Sequence, residues 1–184
     1  MNVLAAILLL CVLINLAVAG YVFWRRHSRA SHYAFAVLAL VFACWTFSNL
    51  MIALSDAKVP VILWGRAAFA LATLIGLAYV VFSWCFPETY HVRRPPAWGI
   101  GLAAGTCGLV VALSVTDLIQ QDAVLKGGHW QLVTGPLHWV FVSYMLAAFG
   151  WGTVNLICSR SQAPAGRERM QLNYTLTGFV LAFP

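Results

Sequence analysis

Long runs of apolar residues alternate with short polar turns along the chain, and their lengths predict helices that cross a membrane. An α-helix needs about 20 apolar residues to span the ~30 Å hydrocarbon core of a bilayer. The runs that reach this length share a single charged residue, Arg66, and they are Met1–Trp24, Tyr33–Ser55, Val59–Pro87, Pro95–Thr116 and Gly127–Ser159. We therefore predict five transmembrane helices, at about 3–24, 33–54, 61–86, 98–116 and 137–158.

The last apolar segment, Leu172–Pro184, is shorter than the others. Its 13 residues span only about 20 Å as a helix, which is too little to cross the bilayer. We expect this segment, 172–184, to be the beginning of a sixth helix inside which the sequence stops. The predicted fold is all-α: one membrane-embedded domain over 1–184, built as a polytopic transmembrane helix bundle. The loop Asp117–Gly135 is long enough for a lid or a short hairpin.

Arginine residues cluster at alternate turns, which indicates how the helices are oriented. Cytoplasmic loops of membrane proteins carry an excess of Lys and Arg. The clusters follow the first, third and fifth predicted helices, and they comprise Arg25, Arg26, Arg29, Arg93, Arg94, Arg160, Arg167 and Arg169. We therefore expect a multi-pass membrane protein with its N-terminus outside and these turns inside. Lys58, Arg66 and Lys126 then lie outside or near the outer surface.

The composition excludes several classes of protein. Hydrophobic residues make up 62% of the chain and charged residues 9%, whereas soluble domains carry about 25% charged residues. The net charge of +6 is explained by the arginine clusters. No basic stripe remains to follow a phosphate backbone, so we expect no nucleic-acid partner. None of the five cysteines lies in a Cys-x-x-Cys motif, and we expect neither a metal nor another cofactor.

Catalytic chemistry is not predicted for this segment either. The predicted helices contain no Asp or Glu, so they offer no paired carboxylates and no proton relay. No Ser, Thr or Cys nucleophile is grouped with a His and an orienting acid. We therefore expect no catalytic residue.

Small residues recur on one face of the third and fourth predicted helices. Membrane helices associate through close backbone approach, because lipid tails are as apolar as leucine. The predicted helix-packing positions are Gly65, Ala72, Gly76, Gly101, Gly105 and Gly108. These faces pack either within the chain or between two copies of it. Asn15 and Asn155 lie in apolar surroundings, and we interpret them as hydrogen-bonding contacts between helices, with ligand contacts as the alternative.

Arg66 lies inside a predicted helix, about one and a half turns from its outer end. It either reaches the outer surface or pairs with Asp56 or Asp117, or it contacts an anion or carboxylate in a pocket open to the outside. Aromatic and polar residues are expected nearby. The candidate ligand-binding residues are Arg66, Trp45, Asn49, Trp64, His129, His138 and Tyr144. For the tryptophans near the outer surface, a place in the interfacial aromatic belt is the alternative.

Several short motifs occur in a characteristic order. They are Asn15 with Arg25-Arg26, Trp45, Trp64-Gly65-Arg66, Phe86-Pro87, Gly135-Pro136-Leu137-His138, Tyr144, Arg167-Glu168-Arg169-Met170-Gln171, Tyr174 and Gly178. In their order and spacing the chain resembles the N-terminal seven-helix sensor region of bacterial membrane histidine kinases, which also occurs in front of diguanylate cyclases. The likeness covers essentially the whole sequence. The chain departs from the resembled region in lacking most of the sixth helix, the seventh helix and any output domain.

The resemblance implies a sensor domain in the bacterial inner membrane, surrounded by the lipid bilayer. Such a domain receives an extracytoplasmic or intramembrane signal, either a small molecule or a membrane state. It relays the signal by helix rearrangement to a cytoplasmic output domain of the same chain, a histidine kinase of a two-component system. Because kinases of this type act as dimers, a homodimer is also implied.

Two other functions are weighed against the sensor. A small transporter or channel subunit predicts broken helices or intramembrane acids, and the sequence shows neither apart from the charge of Arg66. A structural membrane anchor predicts that Arg66, Asn49 and His138 are freely replaceable.

Overall fold

A computed structural model of the chain describes residues 3–24, 30–86, 97–163 and 166–182. The elements occur in the order α1 (Val3–Trp24), α2 (Ala30–Leu54), α3 (Lys58–Cys85), α4 (Ala97–Ser114), β1 (Gln120–Lys126), β2 (His129–Thr134), α5 (His138–Gln162) and α6 (Arg167–Ala182). Helices α1 to α5 are each long and apolar enough to cross a membrane. The all-α class is confirmed, and the strands add one two-stranded sheet to the described residues.

The hydropathy pattern locates the helices but not their ends. α2 begins at Ala30 rather than at 33, α5 continues to Gln162 rather than ending at 158, and α6 begins at Arg167 rather than at 172. The added turns carry polar residues. A helix continues through them because its backbone hydrogen bonds are internal, whereas the apolar run marks only the part that suits hydrocarbon. Positions 183 and 184 of the predicted sixth helix lie outside the described residues.

One end of the bundle holds the β1–β2 hairpin, and we call it the hairpin end. α2 and α4 end there, and α3 and α5 begin there. By the arginine clusters, this end is expected to face the outside. The arginine-bearing turns 25–29 and 87–96 lie outside the described residues.

α3 is the central helix of the described bundle. It contacts α2, α4, α5 and the hairpin, whereas α1 packs mainly on α2. The core lies toward the opposite end from the hairpin and joins four helices. Its largest buried side chains are Leu38 of α2, Tyr79 and Phe82 of α3, Leu156 of α5 and Leu172 of α6. α3 is therefore the element that connects the two ends of the molecule to each other.

The hairpin is closed by a tight turn and docked on the helices. Gly127 and Gly128 have φ values of 59° and 79°, a left-handed conformation that glycine adopts without steric cost and that two-residue hairpin turns require. At the base, the Gly135 N–H donates to the Ile119 carbonyl at 2.8 Å. A Cβ on Gly135 would overlap the backbone of the Asp117–Leu118 segment, so the close approach needs a glycine.

Candidate functional site

A cavity of about 770 Å³ lies at the hairpin end, between α1, α2 and the hairpin. Its walls are mostly aliphatic, with two indole rings, one amide and one carboxylate among them. The side chains that characterise it are Leu4, Leu8, Trp45, Asn49, Asp56 and Trp130. The volume falls within the range of about 300–1,000 Å³ that is usual for small-molecule sites. We call this space the hairpin cavity.

α2 and the hairpin position the polar side chains of the hairpin cavity. Trp45 and Asn49 are one helical turn apart and therefore share a face of α2. The Asn49 amide donates to the Trp45 carbonyl at 2.8 Å, which holds the side chain against its own helix. Trp130 of β2 donates from its indole nitrogen to the Ser55 carbonyl at 3.0 Å. This bond fixes the hairpin over the end of α2.

Three aspartates lie at the hairpin end, and they differ in their partners. Asp122 forms an ion pair with Lys58 at 2.8 Å, and Asp117 forms one with Arg66. Asp56, on the cavity wall, has no ion-pair partner among residues 3–24, 30–86, 97–163 and 166–182. The hydrogen bond from Lys58, together with that from the Ala123 N–H, lowers the pKa of the Asp122 carboxyl.

Arg66 does not reach the hairpin cavity. Its guanidinium pairs with Asp117 and donates to the Val115 carbonyl at 3.3 Å. Val115 directly follows α4, where carbonyls lack intrahelical donors and a cation is favourable. The structure thus places Arg66 in one of the two roles weighed from the sequence, pairing with Asp117, and it connects the ends of α3 and α4.

The other candidate ligand residues are dispersed over the bundle. His138 packs edge-on against the Phe69 ring at 5.6 Å, and its Nδ1 is buried without a hydrogen bond in the described structure. Trp64 packs edge-on against Phe47 at 5.7 Å. His129 pairs with Lys126 in the hairpin ladder, and its side chain lies outside the described structure. Of the candidate residues whose side chains the structure describes, Trp45 and Asn49 line the hairpin cavity and the others lie elsewhere, so the predicted site is divided.

A row of hydrogen bonds joins α3 to α5 through the depth of the bundle. The Tyr144 hydroxyl donates to the Thr73 carbonyl at 3.1 Å. One helical turn and a half further, the Tyr79 and Thr153 hydroxyls lie 3.1 Å apart. Near the far end, Asn155 meets Ser83 at 3.2 Å. We call these six residues the α3–α5 seam: Thr73, Tyr79, Ser83, Tyr144, Thr153 and Asn155.

The far end of the seam concentrates hydrogen-bond donors on one amide. When its carbonyl oxygen faces them, Asn155 accepts hydrogen bonds from Trp151 Nε1 at 3.0 Å, Trp84 Nε1 at 3.1 Å and Ser83 Oγ at 3.2 Å. Inside a bilayer no water is available to replace these partners. Asn155 thus forms an interhelical contact, while among the described residues Asn15 donates to the Cys11 carbonyl of its own helix, at 2.8 Å, and to no other helix.

Glycines on both helices make room for the tyrosines of the seam. A Cβ on Gly76 of α3 would lie 3.1 Å from the Tyr144 ring, and one on Gly152 of α5 would lie 2.5 Å from the Tyr79 ring. Ala72 is also buried on α3. At the hairpin end, Gly65 gives space to the buried amide of Gln120, which a Cβ would overlap. The small-residue face of α3 is therefore closely packed within the chain.

The small-residue face of α4 differs from the expectation of packing within the chain. Gly101, Gly105 and Gly108 are exposed, and a Cβ on any of them would meet no atom within 4 Å. α4 meets α3 through a different face, on which Cys107 and Val110 are buried. The intrachain reading of this face is thus corrected for the described residues, and packing between copies stays a prediction.

Comparison with known families decides what kind of protein carries this geometry. A family model described as the N-terminal 7TM region of histidine kinase matches residues 7–184. The chain belongs to this family. The 7TM region gives no match among curated proteins and none among solved structures. Family membership, together with the five apolar helices, makes the chain a multi-pass membrane protein.

Several residues that organise this 7TM region were not among the candidates from the sequence. Gln120, Ser83 and Thr153 are small or neutral polar residues, and nothing in their local sequence distinguishes them from polar residues that bond their own helix. Gln120 is fully buried, and neither amide atom has a hydrogen-bond partner in the described structure. Across the same residues, no group of three or more His, Cys, Asp or Glu is placed to hold a metal ion.

Proposed function

We propose that this 7TM region is the input domain of a sensor histidine kinase in the bacterial inner membrane. In this proposal it receives a signal from outside the cell or from within the bilayer and relays it to a cytoplasmic output domain of a two-component system. Membership of the histidine-kinase family supports the proposal. The observation that carries the relay is the α3–α5 seam, because its interhelical hydrogen bonds join the two helices from the middle of the bundle to its far end.

The seam suggests which elements move together. Tyr79 fits over Gly152 and Tyr144 fits over Gly76, so each helix holds a ring of the other in a notch. Sliding α3 against α5 would force a ring over a backbone, which close-packed interiors resist. We infer that α3 and α5 move as one unit. α1 has only small or β-branched buried residues, namely Ala5, Val12 and Ala19, and its position against α2 is easier to change.

Signal transfer in this scheme is a shift between two helix arrangements. A signal changes the output only by the difference in its binding free energy for the two arrangements. A signal that alters the hairpin cavity moves α1, α2 or the hairpin, and α3 receives the change through its contacts with α2 and the hairpin. The α3–α5 unit then carries the change to its far end, where Ser83 and Asn155 lie.

The test uses the full-length protein in liposomes and measures autophosphorylation. Tyr79→Phe and Thr153→Val each remove the same interhelical hydrogen bond, which stands at 3.1 Å. Interhelical bonds of this kind contribute about 0.6 kcal/mol on average, so we expect either variant to change the basal autophosphorylation rate about two- to threefold. The double variant is expected to equal the singles, because both remove one contact.

Thr106→Val is the matched control. Thr106 is exposed on α4 and bonds only the Leu102 and Ala103 carbonyls of its own helix, so its replacement is expected to leave phosphorylation unchanged. The relay proposal fails if Tyr79→Phe and Thr153→Val proteins are folded and phosphorylate at the same rate as Thr106→Val. An absence of kinase output from the full-length protein would contradict the input-domain role itself.

A further inference from the structure

Among the described residues that line the hairpin cavity, Asp56 is charged and none is Lys, Arg or His. Asp56 is exposed, and its carboxylate attracts a cation more strongly where the bound charge also lies against the apolar wall, because the effective dielectric there is lower than in water. The chemistry of the wall therefore favours a positively charged occupant.

No described cation forms an ion pair with Asp56. Lys58 is engaged by Asp122, and Arg66 by Asp117 and the Val115 carbonyl. Lys126, in the hairpin, forms no ion pair within the described parts of the chain. Among the described charges at this end, Asp56 and Lys126 are thus outside ion pairs, and Asp56 is the one that borders the cavity.

Trp130 of the wall adds a second attraction for a cation near Asp56, because it contacts Ser55, the residue before Asp56. Trp45 lies about three turns away along α2 and lines the part of the cavity farther from the charge. The face of an indole ring carries partial negative charge and binds ammonium groups, most strongly where water is excluded. The indole nitrogen of Trp130 is already engaged by Ser55, so its ring is held in place by the protein. This pre-organisation reduces the cost of binding.

The aliphatic side chains of the wall favour a ligand whose uncharged part is apolar. Leu4, Leu8 and Ile52 present aliphatic side chains to the space. A hydrated metal ion gains nothing from such walls and needs several oxygen ligands, which the cavity does not group together. An organic molecule with an apolar body gains from burying that body against them.

We propose that the hairpin cavity binds an organic cation, an ammonium group attached to an apolar body, with the ammonium at Asp56 and Trp130 and the body along α1 and α2. This inference rests on the proposed function, because it names the chemical class of the signal that the input domain receives. It also assigns the residues: Asp56 attracts the charge, Trp130 lies beside it, and Trp45 lines the space for the body along α2.

The test measures binding directly and does not depend on kinase output. Full-length protein in nanodiscs of zwitterionic phosphatidylcholine is titrated with radiolabelled benzyltrimethylammonium, with protein-free nanodiscs as the blank. We expect saturable binding of one probe per chain. Neopentylbenzene has the same shape with carbon in place of the charged nitrogen. Compared at equal concentration in the bilayer, it is expected to compete about tenfold or more weakly, because it lacks the attraction to the carboxylate and the indoles.

Two aspartate variants separate the site from the general charge of the surface. Asp56→Asn is expected to raise the Kd for benzyltrimethylammonium about fivefold, the size of a partly exposed ion pair. Asp117→Asn removes the same charge at the same end but lies outside the cavity wall, and the Arg66 that it releases does not reach the cavity; it is expected to leave the Kd within about twofold. Thermal unfolding of each variant establishes that both are folded.

Four outcomes would overturn the inference. Absence of saturable binding would mean that another occupant, such as a further helix of the full-length chain, fills the space. Equal competition by neopentylbenzene would indicate a site for neutral apolar molecules or lipid chains. Equal effects of Asp56→Asn and Asp117→Asn would indicate surface charge alone, and tighter binding of phenylpropionate would indicate an anion site. If binding fails while seam variants still alter phosphorylation, only this inference falls, and the input-domain proposal stands.

Discussion

α3 and α4 carry similar patterns of small residues, yet only one of them uses that pattern to pack within the described chain. Half of the most apolar stretch of α3 is buried, against 17% for α4. Gly65 and Gly76 of α3 are covered by side chains of other elements, while Gly105 and Gly108 of α4 are open. The comparison teaches that glycine spacing creates room on a helix but does not say what fills it.

What fills the room is a bulky side chain on the facing element. In α3 and α5 the match is reciprocal, because Tyr144 covers Gly76 and Tyr79 covers Gly152. In lipid, this fit supplies van der Waals contact and allows the hydroxyls to reach hydrogen-bond partners. The exposed glycines of α4 face no such side chain in the described residues.

Glycine-to-valine exchange is expected to give the largest difference in stability loss between the packed contact of α3 with α5 and the open face of α4. Gly152→Val places a branched side chain where a Cβ alone lies 2.5 Å from the Tyr79 ring, and overpacking of this kind costs about 2–3 kcal/mol. Gly108→Val carries the same change in helix propensity without the clash. The measurement is the free energy of unfolding of the purified full-length protein in mixed detergent. Equal losses for the two variants would remove the distinction drawn between the surfaces.

Asparagine-to-leucine exchange tests the hydrogen bonds of the seam, and its expected effect on stability is smaller. Asn155→Leu leaves the Trp84, Trp151 and Ser83 donors without their acceptor, and we expect a loss of about 1 kcal/mol. Asn15→Leu is the control, since that side chain bonds only its own helix. The free energy of unfolding is measured for both variants. An equal loss for Asn15→Leu and Asn155→Leu would contradict a stabilising role for the interhelical hydrogen bonds of the seam.

Alanine on α4 distinguishes an unused face from a contact between copies. If the face meets only lipid, Gly105→Ala is expected to stabilise the protein by about 0.5 kcal/mol through helix propensity. If copies meet there, the larger variant Gly105→Leu separates them. Cross-linking of the full-length protein in membranes measures this, with Ile100→Ala, exposed on another side of α4, as the control. Unchanged cross-linking in Gly105→Leu would exclude the interchain role.

The smallest effect on stability is expected from a change of pH, acting on the Lys58–Asp122 ion pair that joins the hairpin to α3. Lys58 and the Ala123 N–H lower the pKa of Asp122 in the folded state. A depressed carboxyl pKa contributes stability that is present above the unfolded pKa and is lost as the pH falls through the folded one. Stability should therefore decline more steeply in acid for the natural protein than for Asp122→Asn. Parallel pH profiles would contradict this assignment.

The sequence predicts the helices of this protein well because each depends on a local property. A run of apolar residues long enough for the bilayer forms a helix wherever it lies, since every backbone group must be bonded internally. The ends depend on interfacial turns such as Ser159–Gln162, where polar residues continue the α5 helix, and hydropathy does not register them. The hairpin was predicted only as one of two possibilities, from the length of the loop Asp117–Gly135. Its turn depends on Gly127 and Gly128, and loop length alone does not define its strands.

The candidate site was harder to predict because it depends on helix rotation. Trp45 and Asn49 come together since they are one turn apart on a single helix. Arg66 lies on α3, whereas His138 and Tyr144 lie on α5. Helices that are apolar on every side carry no periodic signal for which face turns inward. The same reason concealed the partners of Tyr79 and Asn155, which come from residues more than 70 positions away in sequence.

The hydrogen bond from Trp130 to the Ser55 carbonyl holds the hairpin closed over the end of α2. The Ser55 carbonyl directly follows α2 and would otherwise lack a donor, and the indole N–H would otherwise lack an acceptor. Lifting the hairpin exposes both groups at once, at about 1 kcal/mol or more for the pair. Opening the hairpin end of the bundle thus requires a minimum free energy. Fluctuations of the hairpin end that are smaller than this leave the helices in place.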